Sequence, residues 1–303
     1  MNFCFIGSKE LGLSCLENLI DNNFKISSII TLDDRKDTRS CYKDFIALAK
    51  RNEIDVEINP NDTSLEKIVK LKNIEIILVC NWYKIISEGV IKIPKNGVYG
   101  IHNSLLPKYK GMSPLIWSAL SDDTFIGSTL FRFDKGMDTG DIAKQWKIKN
   151  EDLYINEIIQ KLTAKIISDL PDVFQKIINN NLKHVKQNKI HSTYCNKRIP
   201  QDSKLMWQIF NSKELLKRIR ILNYPYPYNF SFLNGKKINI LEADPFESPI
   251  SGVPGSIFHF DNKVIACCLD GKGIEIKKVI DSEKKEIPLN ELTGRFLDQP
   301  LTE

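Results

Sequence analysis

The sequence predicts an α/β fold in two parts: an N-terminal domain with a mostly parallel sheet, and a small C-terminal antiparallel β-domain that is open-barrel-like. Strand and helix patterns alternate along the first half, as they do in right-handed βαβ units. The run Ile74–Cys80 is apolar and rich in β-branched residues, which is typical of a parallel strand buried on both faces. The later part instead holds short alternating strands around Asn234-Gly235, a strong hairpin signal.

Taken in order, the first-half strands are short apolar runs, and the helices carry apolar residues every three or four positions. The predicted strands are Asn2–Ile6, Lys25–Leu32, Val56–Ile58, Ile74–Cys80, a run from Gly97 into a loop that carries His102, Gly127–Phe133 and Ile142–Ile148. The predicted helices are Leu11–Leu19, Tyr42–Lys50, Ser64–Leu71, Ser113–Leu120, Ile155–Leu170 and Val173–Ile178, the last two separated by Pro171. This order indicates a Rossmann-like N-terminal domain.

The sequence changes character near residue 180, where large apolar residues become scarce and basic residues accumulate up to Pro200. We therefore predict a catalytic domain over residues 1–188, a linker over 189–203 and a β-rich domain over 204–303. The β-rich domain begins with a helix at Leu215–Leu222. Its predicted strands are Phe230–Leu233, Lys237–Ala243, Ser256–Phe260, Val264–Leu269 and Gly273–Val279.

Composition excludes several classes of protein. Of the 303 residues, 42% are apolar and 27% charged, so the chain is neither disordered nor a coiled coil. No run reaches the roughly 18 apolar residues of a spanning helix, so we expect no membrane association. The seven cysteines are odd in number and form no CxxC pair, which favours reduced thiols and a cytoplasmic protein over disulfides or zinc. The net charge of +5 permits an anionic partner without requiring one.

The turn after the first strand, Gly7-Ser8-Lys9-Glu10, is the first candidate site. Ligands of such sheets bind at the carboxyl ends of the strands, and the start of a helix suits an anion. The pattern GxGxxG is absent, so a dinucleotide site is not indicated, and a simple tight turn is the alternative.

Two further candidates are His102, after a predicted buried strand, and Asp138, in the acidic loop 134–141. Histidine is the usual general acid or base near neutral pH, and an aspartate can orient it. The alternatives are a structural histidine and, for a loop that also holds Asp134 and Asp141, a plain turn or a site for a hard cation.

The motif His102-x-Ser104-Leu105-Leu106-Pro107, then Gly111, then Asp134-x-Gly136-x-Asp138-Thr139-Gly140-Asp141 resembles the signature of the 10-formyltetrahydrofolate-dependent formyltransferases. This family includes methionyl-tRNA, glycinamide ribonucleotide and sugar-nucleotide formyltransferases. The segment Lys197–Asp202 with Trp207 resembles the linker of the two-domain members. The stretch from Tyr226-Pro227-Tyr228 to Ile240 resembles the start of their C-terminal domain.

The resemblance implies transfer of a formyl group from 10-formyltetrahydrofolate, as cosubstrate and without a metal, to a primary amine. His102 would handle the proton or the oxyanion, and Asp138 would orient His102. The pterin would lie in an apolar slot between two stretches of the chain. The residues implied for it are Trp82, Tyr83, Ile85 and Ile86, and the backbone around Arg132, Phe133, Asp134 and Gly136. Trp82 and Tyr83 could instead be core aromatics.

One residue departs from the family pattern. The family usually has asparagine two residues before the histidine, where its amide helps to hold the formyl oxygen, and this chain has Gly100 there. Loss of an oxyanion donor costs about a hundredfold or more in rate. We consider Asn103 and Asn81 as substitutes, with a slow enzyme or a homologue that binds without turnover as alternatives.

The segments Asn81-Trp82-Tyr83 and Gly111-Met112-Ser113-Pro114-Leu115 resemble the sugar-formylating members of the family. The acceptor that this resemblance implies is a nucleotide-linked amino-deoxysugar of surface polysaccharide, such as lipopolysaccharide. The loop Asp33–Arg39 lacks the basic insertion of the tRNA enzymes, and its charges nearly cancel, which argues against tRNA. Substrate contacts are predicted at Ser8, Lys9, Ser104, Lys108 and Met112. Methionyl-tRNA is the second choice, because basic residues line the linker and the helix after it. Exposed strand edges in the β-domain make a homodimer possible.

Overall fold

The computed structural model of the protein describes residues 1–300 and divides into two compact units. The first unit contains residues 1–118, 123–149 and 159–197. The second contains residues 119–122, 150–158 and the described chain from residue 198 on. The strands up to residue 195 are β1 (Phe3–Gly7), β2 (Ile26–Thr31), β3 (Val56–Ile58), β4 (Ile76–Cys80), β5 (Val98–His102), β6 (Lys110–Gly111), β7 (Phe125–Arg132), β8 (Ile142–Lys149) and β9 (Tyr194–Cys195). The helices in this stretch are α1 (Lys9–Asp21), α2 (Tyr42–Arg51), α3 (Asp62–Leu71), α4 (Glu88–Ile91), α5 (Pro114–Leu120) and α6 (Ile155–Ile178).

The main sheet confirms the predicted mostly parallel arrangement. Its strand order is β3-β2-β1-β4-β5-β7-β8; β1 to β5 run parallel, and β7 and β8 are antiparallel to their neighbours. The chain leaves β1 toward β2 on one side and returns to β4 on the other. The carboxyl ends of β1 and β4 therefore flank the crevice where sheets of this type bind ligands.

Each face of the main sheet has its own core. One face packs Phe5, Leu78 and Tyr99 against α1, α2 and α6, and the other packs Ile6 and Val79 against α3 and α4. Since side chains alternate along a strand, positions 100 and 102 of β5 share one face, and positions 99 and 101 share the other. His102 ends β5 on the face opposite Tyr99.

Helix α6 differs from the sequence prediction, which ended one helix before Pro171 and began another after it. The structure has one continuous helix of 24 residues, Ile155–Ile178, with Pro171 inside it. An internal proline costs about 3 kcal/mol. Burial of the apolar stripe on both sides of it, from Ile166 and Leu170 to Phe174, offsets that cost. No helix within residues 1–300 is both long and apolar enough to cross a membrane.

The second unit is built around an antiparallel sheet that nearly closes on itself. Its elements are α7 (Ser212–Ile221), β10 (Ser231–Leu233), β11 (Lys236–Phe246), β12 (Ile257–Phe260), β13 (Lys263–Cys267), β14 (Gly273–Asp281) and β15 (Phe296–Leu297). The strand order is β12-β13-β14-β11-β10-β15. A bridge from Ser256 to Arg295 joins the first edge to the last, so the predicted open-barrel-like sheet is confirmed.

Candidate functional site

His102 is held at the end of β5 by hydrogen bonds on one side of its ring. The residue is 9% exposed, and its ring lies edge-on to Phe131 with centroids 6.4 Å apart. Its Nε2 atom is 2.8 Å from the carbonyl oxygen of Tyr109. Because a carbonyl only accepts, Nε2 carries a proton, which leaves Nδ1 as the basic atom in the neutral ring.

Asp138 lies beside that basic atom. Its Oδ2 atom is 3.7 Å from His102 Nδ1, which is ion-pair distance and too long for a hydrogen bond. The same oxygen accepts a hydrogen bond of 2.8 Å from the backbone N–H of Gly111. The backbone of Asp138 has a φ of 54°, in the left-handed region. Such strained residues concentrate at functional sites. The two residues that the motif singled out are thus brought together, with Gly111 fixing the carboxylate.

The space beside Gly100 is occupied by Phe133. A Cβ atom built at Gly100 would lie 2.2 Å from Cε1 and 2.7 Å from Cζ of the Phe133 ring. The ring stacks on Phe131, with centroids 5.0 Å apart and planes inclined by 29°. Any side chain at position 100, asparagine included, therefore meets an aromatic ring. Gly100, the residue that departs from the family pattern, thus leaves the space that the Phe133 ring fills.

Asn103 belongs to a chain of polar groups across the carboxyl ends of the strands. Its Nδ2 donates to Asn81 Oδ1 at 3.3 Å, and its Oδ1 accepts from the Ser128 hydroxyl at 3.1 Å. The Ser8 hydroxyl donates to the carbonyl oxygen of Asn81. Asn103 therefore uses both ends of its amide on structural partners, and a catalytic role for it stays a prediction.

Lys9 is buried and paired with carboxylates. It is 5% exposed, and its Nζ lies 2.5 Å from Asp34 Oδ2 and 2.9 Å from Asp37 Oδ2. Arg39 also pairs with Asp37, and it is the main reason that the pKa of Asp37 lies well below its usual range, with Lys9 adding to the effect. The charge of Lys9, a predicted substrate contact, is therefore compensated inside the protein.

The other predicted substrate residues differ in accessibility. Ser104 is fully buried, and its hydroxyl donates to the carbonyl of Lys108 at 2.6 Å. Lys108 is exposed, and its Nζ lies 2.6 Å from Asp123 Oδ1. Met112 is 42% exposed. Of these three side chains, Met112 and Lys108 can reach solvent, whereas Ser104 shapes the loop.

The predicted pterin residues after β4 separate into two pairs. Trp82 and Ile86 pack in the apolar cluster that also includes Phe133. Within residues 1–300 the indole N–H of Trp82 is buried without a hydrogen-bond partner. Tyr83 and Ile85 are 48% and 88% exposed, and the Tyr83 ring lies 5.6 Å from Lys9 Nζ.

The loop after β7 is organised by Asp134. Its Oδ1 accepts from the backbone N–H of Gly136 at 2.9 Å and from the Thr139 hydroxyl at 2.6 Å. Across the described chain, no three His, Cys, Asp or Glu side chains gather as metal ligands. Arg132 pairs with Tyr99 across β5 and β7, so its side chain lies on the face opposite His102. Only its backbone adjoins the predicted slot.

Sequence reasoning missed two residues near Asp138. Gln187 Nε2 donates to the carbonyls of Asp138 at 2.9 Å and Gly140 at 2.8 Å, and so clamps the loop. Lys110 is 1% exposed, and its Nζ is 3.2 Å from Ser192 Oγ. Burial lowers the pKa of Lys110, and the charges of Asp138 and Asp134 oppose that shift. The sequence offered no signal for Gln187; for Lys110 the only hint was its place beside Gly111.

Comparison with known proteins gives the family. Residues 3–164 match the model of the family described as Formyl transferase, and residues 198–296 match that of Formyl transferase, C-terminal domain. Over 262 residues the chain is 33% identical to the bifunctional polymyxin resistance protein ArnA of Wigglesworthia glossinidia brevipalpis; the match covers 85% of this chain and 39% of that protein.

Two further relatives match almost end to end. The methionyl-tRNA formyltransferase of Clostridium acetobutylicum is 29% identical, over 99% of this chain and 98% of the relative. The N-formyltransferase of Helicobacter canadensis, solved with folinic acid and dTDP-3-aminofucose, has a TM-score of 0.70 and 23% identity, and the match covers 91% of this chain and 98% of that one. That second likeness shows the fold. Since the two family models span most of the sequence, this chain belongs to the formyl transferase family and is a formyltransferase.

Proposed function

We propose that the protein transfers the formyl group of 10-formyltetrahydrofolate to the primary amine of a nucleotide-linked amino-deoxysugar. The observation that carries the reaction class is the 3.7 Å approach of Asp138 Oδ2 to His102 Nδ1 at the carboxyl end of β5. The sugar class is supported by the Helicobacter canadensis enzyme, whose structure holds folinic acid and dTDP-3-aminofucose.

His102 acts as the proton acceptor. The amine would attack the formyl carbon of the folate cosubstrate to give a tetrahedral oxyanion. Collapse of this intermediate would break the bond between the formyl carbon and the folate nitrogen, and the proton held by His102 would pass to the leaving tetrahydrofolate. With Nε2–H held by the carbonyl of Tyr109, His102 receives the amine proton on Nδ1. The imidazolium so formed faces the carboxylate of Asp138, which stabilises its charge. A fixed tautomer and a fixed carboxylate lower the reorganisation that the step requires.

The apolar residues around Trp82 support a pterin site there. A pterin is a flat ring system with carbonyl and ring-nitrogen acceptors. Ile86 and Phe133 supply apolar contact near Trp82. The buried indole N–H of Trp82, without a partner in the described chain, is a donor that such an acceptor would satisfy.

The charges around the crevice favour a small acceptor over tRNA. Arg35 pairs with Asp33, Arg39 pairs with Asp37, and Lys9 pairs with both Asp34 and Asp37. These pairs leave little excess positive potential. Binding of tRNA depends on unpaired cations that neutralise phosphates.

The positive charges on α7, the basic helix of the second unit, are also largely compensated by neighbouring groups. The Arg218 guanidinium stacks 3.8 Å from the Phe210 ring centroid, and burial lowers its pKa. Lys217 pairs with Asp122, and Arg220 pairs with Asp152. Arg198 donates to Ser203 Oγ at 2.6 Å. A helix whose cations contact their own unit is a weak tRNA surface.

Methionyl-tRNA remains the second candidate acceptor. The specific observation in its favour is that the Clostridium acetobutylicum methionyl-tRNA formyltransferase matches 99% of this chain. Strong salt dependence of binding to initiator methionyl-tRNA would favour this function, because it would report phosphate contacts.

The decisive experiment offers the purified enzyme both acceptors with 10-formyltetrahydrofolate. Formylation of a dTDP- or UDP-linked amino sugar, with no product on methionyl-tRNA, is the expected outcome. Product on methionyl-tRNA alone refutes the sugar acceptor. Folate binding without formylation of any member of an amine panel favours the alternative that Gly100 suggests, a homologue that binds folate without turnover. His102→Asn is the matched control, with an expected loss of about a hundredfold or more.

A surface-polysaccharide role would place this enzyme in the cytoplasm, where nucleotide sugars are made. The described chain has no helix fit to span a membrane, which is consistent with that placement. The similarity to a polymyxin resistance protein fits a surface role, although the chain covers only 39% of that relative. A homodimer is proposed as well, and analytical ultracentrifugation tests it.

A further inference from the structure

A cavity of about 200 Å³ lies near the amino end of β5. His102 is at the other end of the same strand. The polar lining of the cavity comes from Lys95, Asn96, Tyr99, Arg132, Asn180 and His184. Two of these residues carry a permanent positive charge, and none of the residues that line the cavity is acidic. The volume is well above what one water needs.

Arg132 is the cation that is available to a ligand. Lys95 pairs with Glu75, and this pair is the main reason that the pKa of Glu75 is lowered. Within residues 1–300 the Arg132 side chain makes no ion pair or hydrogen bond. Its guanidinium lies against the backbone of Gly97, where a Cβ would come within 2.7 Å of Nε. Gly97 has a φ of +92°, so this position favours glycine and leaves the space to the guanidinium.

His184 and Tyr99 also line the cavity. Tyr99 is 2% exposed, and its hydroxyl is 3.0 Å from His184 Nε2. Burial lowers the pKa of His184, the charge of Arg132 lowers it further, and Asp141 and a hydrogen bond to the Leu182 backbone oppose both. An anion beside Arg132 would cancel the repulsion that His184 experiences.

The cavity also adjoins the supports of the catalytic loop. The Arg132 backbone N–H donates to the carbonyl of Asp141 at 2.9 Å, which ties the two ends of the loop together. One residue after His184, Val185 exchanges two backbone hydrogen bonds of 2.8 Å with Ile142. Gln187 then clamps the carbonyls of Asp138 and Gly140. Two segments that line the cavity thus continue into the contacts that position Asp138.

We propose that this cavity is an oxyanion site, in which the Arg132 fork binds a phosphate group and thereby tightens the loop that carries Asp138. A planar guanidinium presents paired N–H donors that match phosphate geometry, whereas an ammonium does not. The ligand is a phosphate group, either free or carried by a nucleotide. The site is separate from the formyl-transfer centre.

Calorimetric titration of the enzyme with inorganic phosphate, at constant ionic strength set by chloride, tests the site. Saturable binding at about 1 mM or tighter is expected. Arg132→Gln should weaken it at least about tenfold, and Arg132→Lys should restore only part of it. Lys95→Gln is the matched control: it removes a charge from the same rim, but one that is already paired, and should cost less than about threefold. No saturable binding of phosphate or of dTDP, or an equal loss in both Gln variants, overturns the site. Binding of dTDP alone with the same Arg132 dependence assigns the phosphate to a nucleotide.

NMR spectroscopy then tests whether phosphate binding in the cavity affects the loop that carries Asp138. On saturation with phosphate, the pKa of His184 should rise, because the charge of Arg132 is neutralised. Exchange of the Gly111 amide, which donates to Asp138, should slow. Binding without either change refutes the coupling.

Discussion

Because the Phe133 ring fills the space beside Gly100, a side chain added at position 100 should lower the stability of the protein instead of raising it. We take Gly100→Ala, which adds one methyl group to the middle of β5. Glycine in a strand interior is less stable than alanine by about 0.5–1 kcal/mol, so with free space the change would stabilise the protein. Here the new Cβ would lie 2.2 Å from the Phe133 ring. Overpacking of this kind costs about 1–3 kcal/mol, so we expect net destabilisation.

The assay is a double-mutant cycle with Phe133→Ala. In the Phe133→Ala background the ring is gone, and Gly100→Ala should become neutral or stabilising. Urea denaturation followed by circular dichroism gives the free energies of unfolding, and the coupling between the two sites should reach about 2 kcal/mol. If Gly100→Ala stabilises the wild-type protein, or costs the same in both backgrounds, Phe133 does not fill the space beside position 100.

Three further predictions concern charge and helix packing. Asp138→Asn keeps an acceptor for the Gly111 N–H but removes the charge, so formyl transfer should fall by about a hundredfold with the melting temperature nearly unchanged. Asp37→Asn should cost about 1.5 kcal/mol at pH 7 through its lost bonds to Arg39 and Lys9. Because the folded pKa of Asp37 is depressed, this difference should be full above about pH 4 and should shrink progressively as the pH falls toward the folded pKa, in denaturation series from pH 7 to pH 2. Pro171→Ala restores a helical N–H in α6 and should stabilise the protein by about 1–2 kcal/mol in thermal melts; a loss of stability would mean that Pro171 is already accommodated.

Local sequence pattern predicted most of the fold. Short apolar runs identified β1, β4 and β5, since a strand buried on both faces needs apolar residues at every position. The motif around His102 and Asp138 predicted their proximity, and the structure brings them to 3.7 Å.

Features that depend on distant contacts were not predictable in this way. Strand β15 pairs with β10, and its two residues carry too little pattern to be read alone. Lys9 was predicted to contact substrate, and the sequence did not show that it is paired, because its partners, Asp34 and Asp37, lie after another strand. The continuity of α6 through Pro171 was missed because burial of its face, set by the tertiary fold, outweighs the local cost.

The segment that follows α6 also affects where the chain can be cut. Gln187 and the short pairing of β9 with β6 attach residues 185–195 to both loops that flank His102. The matched family model ends earlier, at residue 164. A fragment trimmed to that limit would retain all seven strands of the main sheet, but it would cut α6 and lose the attachments of the two loops that flank His102. The smallest fragment worth expressing for catalysis therefore ends beyond Cys195, and a protease cut between residues 180 and 195 should abolish turnover before it unfolds the sheet.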